Sequence, residues 1–423
     1  MVYVLSKDKK PLMPCENVVA RLLLKDGKAK VVRKNPFIIK LTYETTTYTQ
    51  PLTLGMDTGS GKLSVAVATE PDDEDGIRRI LYISEVEVRN DIKDKMKERR
   101  DYRRSRRNRK TRYRKKRFDN RGNSKKKGRT SPTVNSKIHS HVREIEFVKS
   151  ILPVTNIIVE NGQFDPHLMK NPKLKYQPWG YQKGPNYGFE NSKAMVRNRD
   201  HYTCQYCGKT IKDAKLEVHH IVFKSNGGSD EPENLITLCH GCHTKLHAGK
   251  INPNFESKTS GALKYATQMN HICKKLFEYY PEAVKTFGYV TSANRNNLKL
   301  QKEHYIDACV VASGGKNFNI ECDLLLKKHV SDGDFKQTSG RHSEKKLPRG
   351  KINGFRKFDK VKYLGQEYFI KGRMSSGYAV LMDISGKTVK FDNAPKGFKT
   401  PKFLNMKRVS ARSTCLITNI KLM

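Results

Sequence analysis

Residues 52–70 read LTLGMDTGSGKLSVAVATE, and this stretch decides how we expect the chain to fold. It predicts a buried apolar strand, a Gly-rich turn and a second strand with Leu63, Val65 and Val67 on one face, because strand side chains alternate between the two faces. ILYISEVEV (80–88) supplies a third strand. Three strands joined by short turns indicate an antiparallel meander that opens a larger sheet.

Later segments continue this core after long interruptions. SKIHSHVREIEFVKSIL predicts an amphipathic helix, and VTNIIVE predicts a buried strand that ends in Glu160. We expect helical segments at about 261–280, a strand near YVTS (289–292) and a helix over QKEHYIDACVVAS. A polar stretch from 161 to about 190 leads into a module inserted at 196–250.

Two small units flank the core. Residues 1–52 contain VYVL, ARLLLKDGKAKVV and FIIKLTYE, strand-like pieces separated by Pro and Gly, which predict a small α+β unit. From about residue 350, VKYLGQEYFIKGRMSSGYAVLMDISGKTVKF alternates strand patterns with Gly turns. This alternation is typical of a small β-barrel.

Composition and charge indicate the class of partner. The 423 residues allow several domains of roughly 150 residues each. They include 83 Lys and Arg against 42 Asp and Glu, a net charge of +41, which favours a nucleic-acid partner. No stretch approaches the roughly 18 apolar residues of a membrane span, so we expect a soluble, intracellular protein without a membrane partner. Nine cysteines in such a chain favour reduced thiols or a metal site over disulfides.

Residues 93–129 are strongly basic, with 21 Lys or Arg among 37 residues and four acidic residues. Up to about Arg117 the composition favours a helix, but a helix that is polar on every face has no apolar stripe to bury. We therefore expect it to lie between phosphate backbones, the alternative being a disordered basic segment. The side chains expected to bind RNA are Arg99, Arg103, Arg106, Arg107, Lys110, Arg114 and Arg117.

The inserted module contains two CxxC pairs, Cys204 with Cys207 and Cys239 with Cys242. Four thiolates make a closed tetrahedral site, which is typical of structural zinc. The 31 residues between the pairs exceed the 15–20 of a simple zinc ribbon, so we expect a further function there.

Residues 216–247, which read LEVHHIVFKSNGGSDEPENLITLCHGCHTKLH, include most of this intervening sequence and the helix after it. They resemble the HNH, or ββα-metal, endonuclease motif. The resemblance implies that His219 and His243 ligate a divalent cation while His220 acts as the general base on water. It also implies that Asn234 orients the base or completes the metal shell. His247, one helical turn beyond His243, is a further candidate ligand.

A second candidate site combines three carboxylates and a histidine from separate elements. Asp57 ends the first core strand before Thr-Gly-Ser-Gly, and Glu160 ends VTNIIVE. His304 and Asp307 are three residues apart on a predicted helix and share a face. Oxygen ligands from three elements suit two hard cations that clamp a phosphodiester. Their order resembles the three discontinuous motifs of a RuvC-type, ribonuclease H-like nuclease.

Read from end to end, the chain resembles the IscB proteins, transposon-encoded RNA-guided nucleases related to the type II CRISPR effectors. KPLMP (10–14) is similar to the start of that family's N-terminal domain, and GMDTGS, the Arg-rich bridge helix, IIVE, the HNH insert and HYIDA follow in the family's order. The implied fold class is a multidomain α/β and α+β protein with a split RuvC core. The implied domains are PLMP-like 1–52, RuvC segments 53–92, 130–190 and 256–330, bridge helix 93–129, HNH domain 191–255 and a C-terminal β-barrel 331–423 that contacts the target-adjacent motif.

The resemblance implies an RNA-guided DNA endonuclease. A guide RNA of the omega type pairs with one strand of a double-stranded target, the HNH site cuts that strand, and the RuvC-like site cuts the displaced one. The expected cofactors are Mg²⁺ and structural Zn²⁺, with Mn²⁺ as an alternative at the HNH site because imidazoles suit transition metals. We expect a monomer within the ribonucleoprotein, located in a prokaryotic cytoplasm and associated with the nucleoid when on target.

Two other functions remain open from the sequence. One is an unguided HNH or junction-type endonuclease that reads DNA directly, and the other is a non-catalytic RNA-binding protein with structural zinc. The basic segment within the core favours guidance over the first. Cleavage of a target distinguishes the nucleases from the second.

Overall fold

A computed structural model describes residues 1–70, 76–108, 129–177, 180–181, 186–226, 228–256, 262–331, 350–391 and 400–422. The chain divides into two compact units, the first made of residues 1–163 and 268–423, the second of residues 164–267. The described strands are β1 Tyr3–Leu5, β2 Ala29–Lys34, β3 Phe37–Leu41, β4 Leu52–Asp57, β5 Lys62–Thr69, β6 Arg78–Glu87, β7 Val154–Glu160, β8 Leu216–His220, β9 Leu235–Cys239, β10 Val284–Thr286, β11 Phe318–Ile320, β12 Leu324–His329, β13 Lys360–Tyr363, β14 Gln366–Arg373, β15 Ala379–Met382, β16 Thr388–Val389, β17 Lys407–Ser410 and β18 Cys415–Ile420. The described α-helices are α1 Asn17–Lys25, α2 Ile92–Asn108, α3 Pro132–Lys149, α4 Pro166–Lys170, α5 Ser192–Arg199, α6 His240–His247, α7 Ala262–Tyr279, α8 Gly288–Asn297 and α9 His304–Ser313.

The central sheet of the first unit has the order β10-β7-β4-β5-β6-β12-β18, with β11 also paired to β6. Strands β4, β5 and β6 are antiparallel neighbours, which confirms the meander. Strand β7 lies parallel to β4, and β10 lies parallel to β7. Strand β18 pairs with β12, so the last described strand lies in this sheet rather than in the C-terminal one.

Both faces of the meander are covered by helices. Leu63, Val65 and Val67 are fully buried and share one apolar cluster with side chains of α3 and α7. The alternate residues Ala66 and Ala68 share another with α9. Small side chains on this second face let α9 approach closely, while the larger ones on the first face fill the space under two helices.

Gly55 allows a close contact between a helix and the sheet. A Cβ atom on Gly55 would lie 2.2 Å from the backbone nitrogen of Ala312, so α9 can cross β4 here only because the side chain is absent. Helix α9 ends at Ser313 and is followed by Gly314, which adopts a left-handed conformation with φ of 63°. The crossing fixes the N-terminal half of α9 relative to the end of β4.

Two local predictions were wrong. YVTS lies within α8, and the neighbouring strand is β10, three residues earlier, where Val284 and Thr286 supply β-branched side chains. The first half of ARLLLKDGKAKVV forms α1 rather than a strand, because Ala20, Leu23 and Leu24 recur at helical spacing and pack on the N-terminal sheet β1-β3-β2.

The C-terminal strands form an antiparallel sheet with the order β16-β15-β14-β13-β17 around an apolar core. Within the part of the chain that the structure describes, its edge strands β16 and β17 do not pair, so a closed barrel is not seen. Across the same residues, no helix combines the length and hydropathy needed to cross a bilayer.

Candidate functional site

The second unit holds a hairpin, β8 and β9, followed directly by helix α6. His219 pairs with Ile236 and His220 pairs with Leu235 in the hairpin register. Helix α6 begins at His240, where the Cys239 thiol accepts a hydrogen bond from the backbone nitrogen of Cys242. This cap joins a cysteine of the zinc-type site to the helix that carries His243 and His247.

The structure brings three imidazoles together. The nearest ring nitrogens of His219, His243 and His247 all lie within 4.8 Å of one another. His219 is buried and reaches the group from β8, and the other two lie one helical turn apart on α6. His247, first only a further candidate, is therefore a full member of the group. Three imidazoles fit a divalent transition metal better than Mg²⁺.

The protonation state of His219 and the orientation of His243 both favour cation binding by this cluster. Burial, with the neighbouring histidines, lowers the pKa of His219 to about 4, so its ring is neutral near pH 7. Neutral imidazole is the form that ligates a metal. Glu217, two residues before His219 on the same strand, has its carboxylate 2.7 Å from Nδ1 of His243. Such a contact fixes the ring and leaves Nε2 facing the cluster.

His220 faces a different carboxylate. Its Nε2 lies 2.8 Å from Oδ1 of Asp230, and the ammonium of Lys224 contacts the same oxygen at 2.7 Å. A base held by a carboxylate is a recurring arrangement in nucleophile activation. Sequence reasoning missed both Glu217 and Asp230. The alternation of β8 could have indicated Glu217, whereas no spacing rule points to Asp230.

Asn234 is fully buried and holds the loop that follows His220. Its Oδ1 accepts a hydrogen bond from the backbone nitrogen of Val222, and its Nδ2 donates to the carbonyl oxygens of Val222 and Ser229 at 3.0 and 2.8 Å. These bonds fit the expected role in orienting the base, by way of the loop. They place the amide against backbone atoms of the loop.

The four cysteines also come together. The sulfur atoms of Cys204, Cys207, Cys239 and Cys242 all lie within 4.8 Å of one another. Four thiols at this separation are compatible with a structural zinc ion, which would leave no open position for substrate. The paired spacing in the sequence was sufficient to predict this group.

The carboxylate site lies in the first unit, at one end of the central sheet. Asp57 and Glu160 end the parallel neighbours β4 and β7, and the crossing of α9 at Gly55 places His304 beside Asp57. Nδ1 of His304 lies 2.9 Å from Oδ2 of Asp57. Asp307 lies one turn further along α9 and is paired with the guanidinium of Arg295.

The three carboxylates influence one another. Burial raises the pKa of Asp57 against the opposing hydrogen bond of His304, and the charge of Asp307 raises it further. Burial also raises the pKa of Glu160, as do the charges of Asp57 and Asp307, while Thr291 opposes them by donating a hydrogen bond of 2.6 Å. The hydrogen bond to Asp57 raises the pKa of His304.

Each of the three carboxylates contacts a different side chain of the protein. Asp57 contacts His304, Glu160 contacts Thr291, and Asp307 contacts Arg295. Among the described residues, the four cysteines form one group and the three histidines another, and within each group the ligand atoms lie within 4.8 Å of one another. The three carboxylates do not form such a group. Met56 and Val159, the residues before Asp57 and Glu160, nevertheless pair in the register of β4 and β7, so these two carboxylates end adjacent strands. Thr291 and Arg295 were missed, because neither stands at a distinctive distance from Asp307 or Glu160 in the sequence.

The basic segment begins as helix α2. All described side chains from Arg99 to Ser105 are exposed, including Arg99 and Arg103. Arg106 and Arg107 lie within the helix, while Lys110, Arg114 and Arg117 lie outside the described residues.

Sequence comparisons match two parts of the chain. Residues 2–184 match the RRXRR protein family, and residues 204–249 match the HNH endonuclease family. Anaredoxin of a Nostoc species is 37% identical over 70 residues, 16% of this chain and 88% of that protein. The Escherichia coli type IV methyl-directed restriction enzyme EcoKMcrA is 38% identical over 64 residues, 14% of this chain and 23% of that enzyme.

Two solved Cas9 structures are similar to parts of the chain. The Streptococcus thermophilus protein matches with a TM-score of 0.32 and 11% identity, covering 57% of this chain and 32% of that one. The type II-C enzyme of Actinomyces naeslundii gives a TM-score of 0.18 and 17% identity, covering 43% and 31%. The histidine cluster and the zinc-type site both fall in the segment that matches the HNH family. Residues 2–184 therefore match the RRXRR family and residues 204–249 match the HNH endonuclease family, a combination that fits an IscB-like RNA-guided nuclease.

Proposed function

We propose that the protein is an RNA-guided DNA endonuclease that cuts the two strands of its target at two separate sites. The observation that carries guidance is helix α2, whose described side chains from Arg99 to Ser105 are all exposed although the helix follows a core strand directly. A helix so rich in Arg is suited to contact phosphates on several sides. The guide RNA would supply those phosphates and also the sequence specificity.

At the HNH site, His220 is the proposed general base and removes a proton from the attacking water. Asp230 holds its ring, and Asn234 holds the loop that follows it. His219, His243 and His247 would hold one divalent cation. That cation would stabilise negative charge on the phosphate and leaving oxygen. The three-imidazole donor set supports Mn²⁺ as a cofactor at least as effective as Mg²⁺.

At the carboxylate site, Asp57, Glu160 and Asp307 would hold divalent cations, and His304 would exchange a proton near the displaced strand. The sheet order supports a ribonuclease H-like core, because an antiparallel trio is extended by two parallel strands beside β4. The raised pKa of His304 favours a protonated ring that can donate to a phosphate oxygen. To take up cations, Asp307 would turn from Arg295 or share its second oxygen.

The remaining assignments follow from the same proposal. The four cysteines would hold zinc for structure alone, and the domain boundaries given above would stand, except that β18 completes the central sheet. The C-terminal sheet would contact the target-adjacent motif. One copy of the protein would bind one guide RNA and one target duplex.

The test is guide-dependent cleavage. The protein is expressed with the RNA encoded beside it, the bound RNA is sequenced, and cutting of a matched supercoiled plasmid is compared with a plasmid lacking the matching sequence. The proposal predicts a defined bound RNA and cleavage of the matched plasmid alone. Equal cutting of both plasmids would favour the unguided endonuclease, and bound RNA without cutting under Mg²⁺ and Mn²⁺ would favour the RNA-binding protein.

A further inference from the structure

Two exposed aromatic rings lie beside the carboxylate site. The rings of Phe287 and Tyr289 are stacked, with centroids 5.9 Å apart and planes within 12° of parallel. Phe287 is 37% exposed and Tyr289 is 74% exposed. A single exposed tyrosine is ordinary, but two adjacent, nearly parallel rings that are both exposed form an apolar patch of the kind found at contact sites.

The position of the pair links it to Glu160. Thr286, the residue before Phe287, pairs with Glu160 in the register of β10 and β7. Gly288 stands between the two aromatic residues, and a Cβ atom there would lie 3.0 Å from Oε1 of Glu160. Consecutive Cα atoms are about 3.8 Å apart. Phe287 and Tyr289 are the chain neighbours of Gly288, so both lie next to the backbone that approaches Glu160.

The chemistry of the site indicates what would cover the rings. A carboxylate centre that cuts a displaced strand handles unpaired nucleotides, whose flat base faces are no longer stacked in a duplex. Aromatic side chains bind such faces with little dependence on sequence. The protein's net charge of +41 complements the phosphates of the same strand.

We propose that Phe287 and Tyr289 form a stacking platform for an unpaired base of the strand cut at the carboxylate site. The platform holds the neighbouring phosphodiester beside Asp57, Glu160 and Asp307. Both aromatic residues are positioning residues, because they act on the base and not on the reacting atoms. This inference rests on the proposed function, in which the carboxylate site cuts the displaced strand.

The test measures the two strands separately. Guide-loaded protein acts on a target whose strands carry different labels, and the double variant Phe287→Ala, Tyr289→Ala is compared with wild type. Loss of base stacking should slow cutting of the displaced strand about tenfold and leave cutting of the guide-paired strand unchanged. Tyr289→Trp should retain the wild-type rate. Tyr279→Ala, which removes a 53% exposed tyrosine from α7, is the matched control.

A second measurement uses the wild-type protein, so it does not depend on the stability of a variant. A series of targets carries one abasic nucleotide each, at a different position of the displaced strand. We expect slow cutting of the target whose missing base is the one that would stack on the platform, close to the cut. The double variant should lose this position dependence.

Three results would overturn the inference: equal displaced-strand rates for wild type and double variant, no abasic position that matters, or full rescue of the double variant by extra Mg²⁺. Rescue would mean that the change acted on Glu160. If wild type shows no guided cleavage at all, the proposed function has failed; normal cutting with any of the three results rejects only the platform.

Discussion

Glu217 shows how one carboxylate prepares a cation site. It contacts the Nδ1 atom of His243, so the other ring nitrogen is directed toward His219 and His247. Its carboxyl is also bonded to His240, and that hydrogen bond lowers the pKa of Glu217. A charged acceptor behind a ligating imidazole raises the basicity of the ring and holds its orientation.

We predict that Glu217→Ala weakens the affinity of the histidine cluster for Mn²⁺ by about 10- to 100-fold. The measurement is the Mn²⁺ dependence of cutting of the guide-paired strand, with the displaced strand as internal reference. Glu282→Ala, at an exposed glutamate of the first unit, is the control. An unchanged Mn²⁺ midpoint for Glu217→Ala would show that the contact does not orient a ligand.

At the scale of elements, the contact between α9 and β4 assembles the carboxylate site. The two elements are 247 residues apart at Asp57 and His304, yet these side chains form a hydrogen bond because Gly55 lets the helix approach. The helix contributes Asp307 from the same face, and α8 supplies Arg295 to pair with it. The absence of a side chain at Gly55 thus allows α9 to place His304 and Asp307 near the end of β4.

We predict that Gly55→Ala reduces cutting of the displaced strand at least tenfold. It should also lower the free energy of unfolding of the first unit by about 3 kcal/mol, because the core has no room for the added methyl group. The added methyl would meet backbone atoms of α9, which cannot rotate away. Gly61→Ala is the matched control, because a Cβ atom at Gly61 meets nothing within 4 Å. Strand-specific cleavage and thermal unfolding measure the two effects, and equal behaviour of both variants would contradict the account.

The same elements show how much the sequence could predict. Asp57 and Glu160 were predictable, because each ends an apolar strand and the side chains at the ends of parallel strands meet. The helix bearing His304 and Asp307 was predictable from its own pattern. Thr291 and Arg295 were not, because they reach their partners through the packing of α8. The strand expected near YVTS was wrong, since these residues lie within α8. Closure of a C-terminal barrel depends on long-range pairing that local patterns do not encode.

At the scale of the whole molecule, the core under α3 contains a buried polar network. Lys327 of β12 and Glu144 of α3 form a buried ion pair, and Tyr82 donates a hydrogen bond of 2.6 Å to Glu144. His141 and His329 are buried nearby, and burial lowers the pKa of each to about 4. These histidines are neutral in the folded protein, whereas an unfolded chain protonates them below a pH of about 6.5.

The free energy of unfolding should therefore fall as the pH falls from about 6.5 toward 4. Below the unfolded pKa the unfolded chain binds protons that the folded protein excludes, at about 1.4 kcal/mol per pH unit for each histidine. Melting temperatures between pH 7 and 5 measure the loss. His329→Leu should make the pH dependence shallower, with His139→Leu, at an exposed histidine, as the matched control. An identical slope in wild type and His329→Leu would contradict the prediction.

If the protein uses two sites that cut one strand each, strand-specific nicking separates their contributions. Guide-loaded wild type, Asp57→Ala, His220→Ala and the double variant are incubated with matched supercoiled plasmid, and each nick is mapped to its strand. We predict that wild type linearises the plasmid, Asp57→Ala nicks only the guide-paired strand, His220→Ala nicks only the displaced strand, and the double variant binds without cutting. Linearisation by Asp57→Ala, or nicking of the same strand by both single variants, would contradict it.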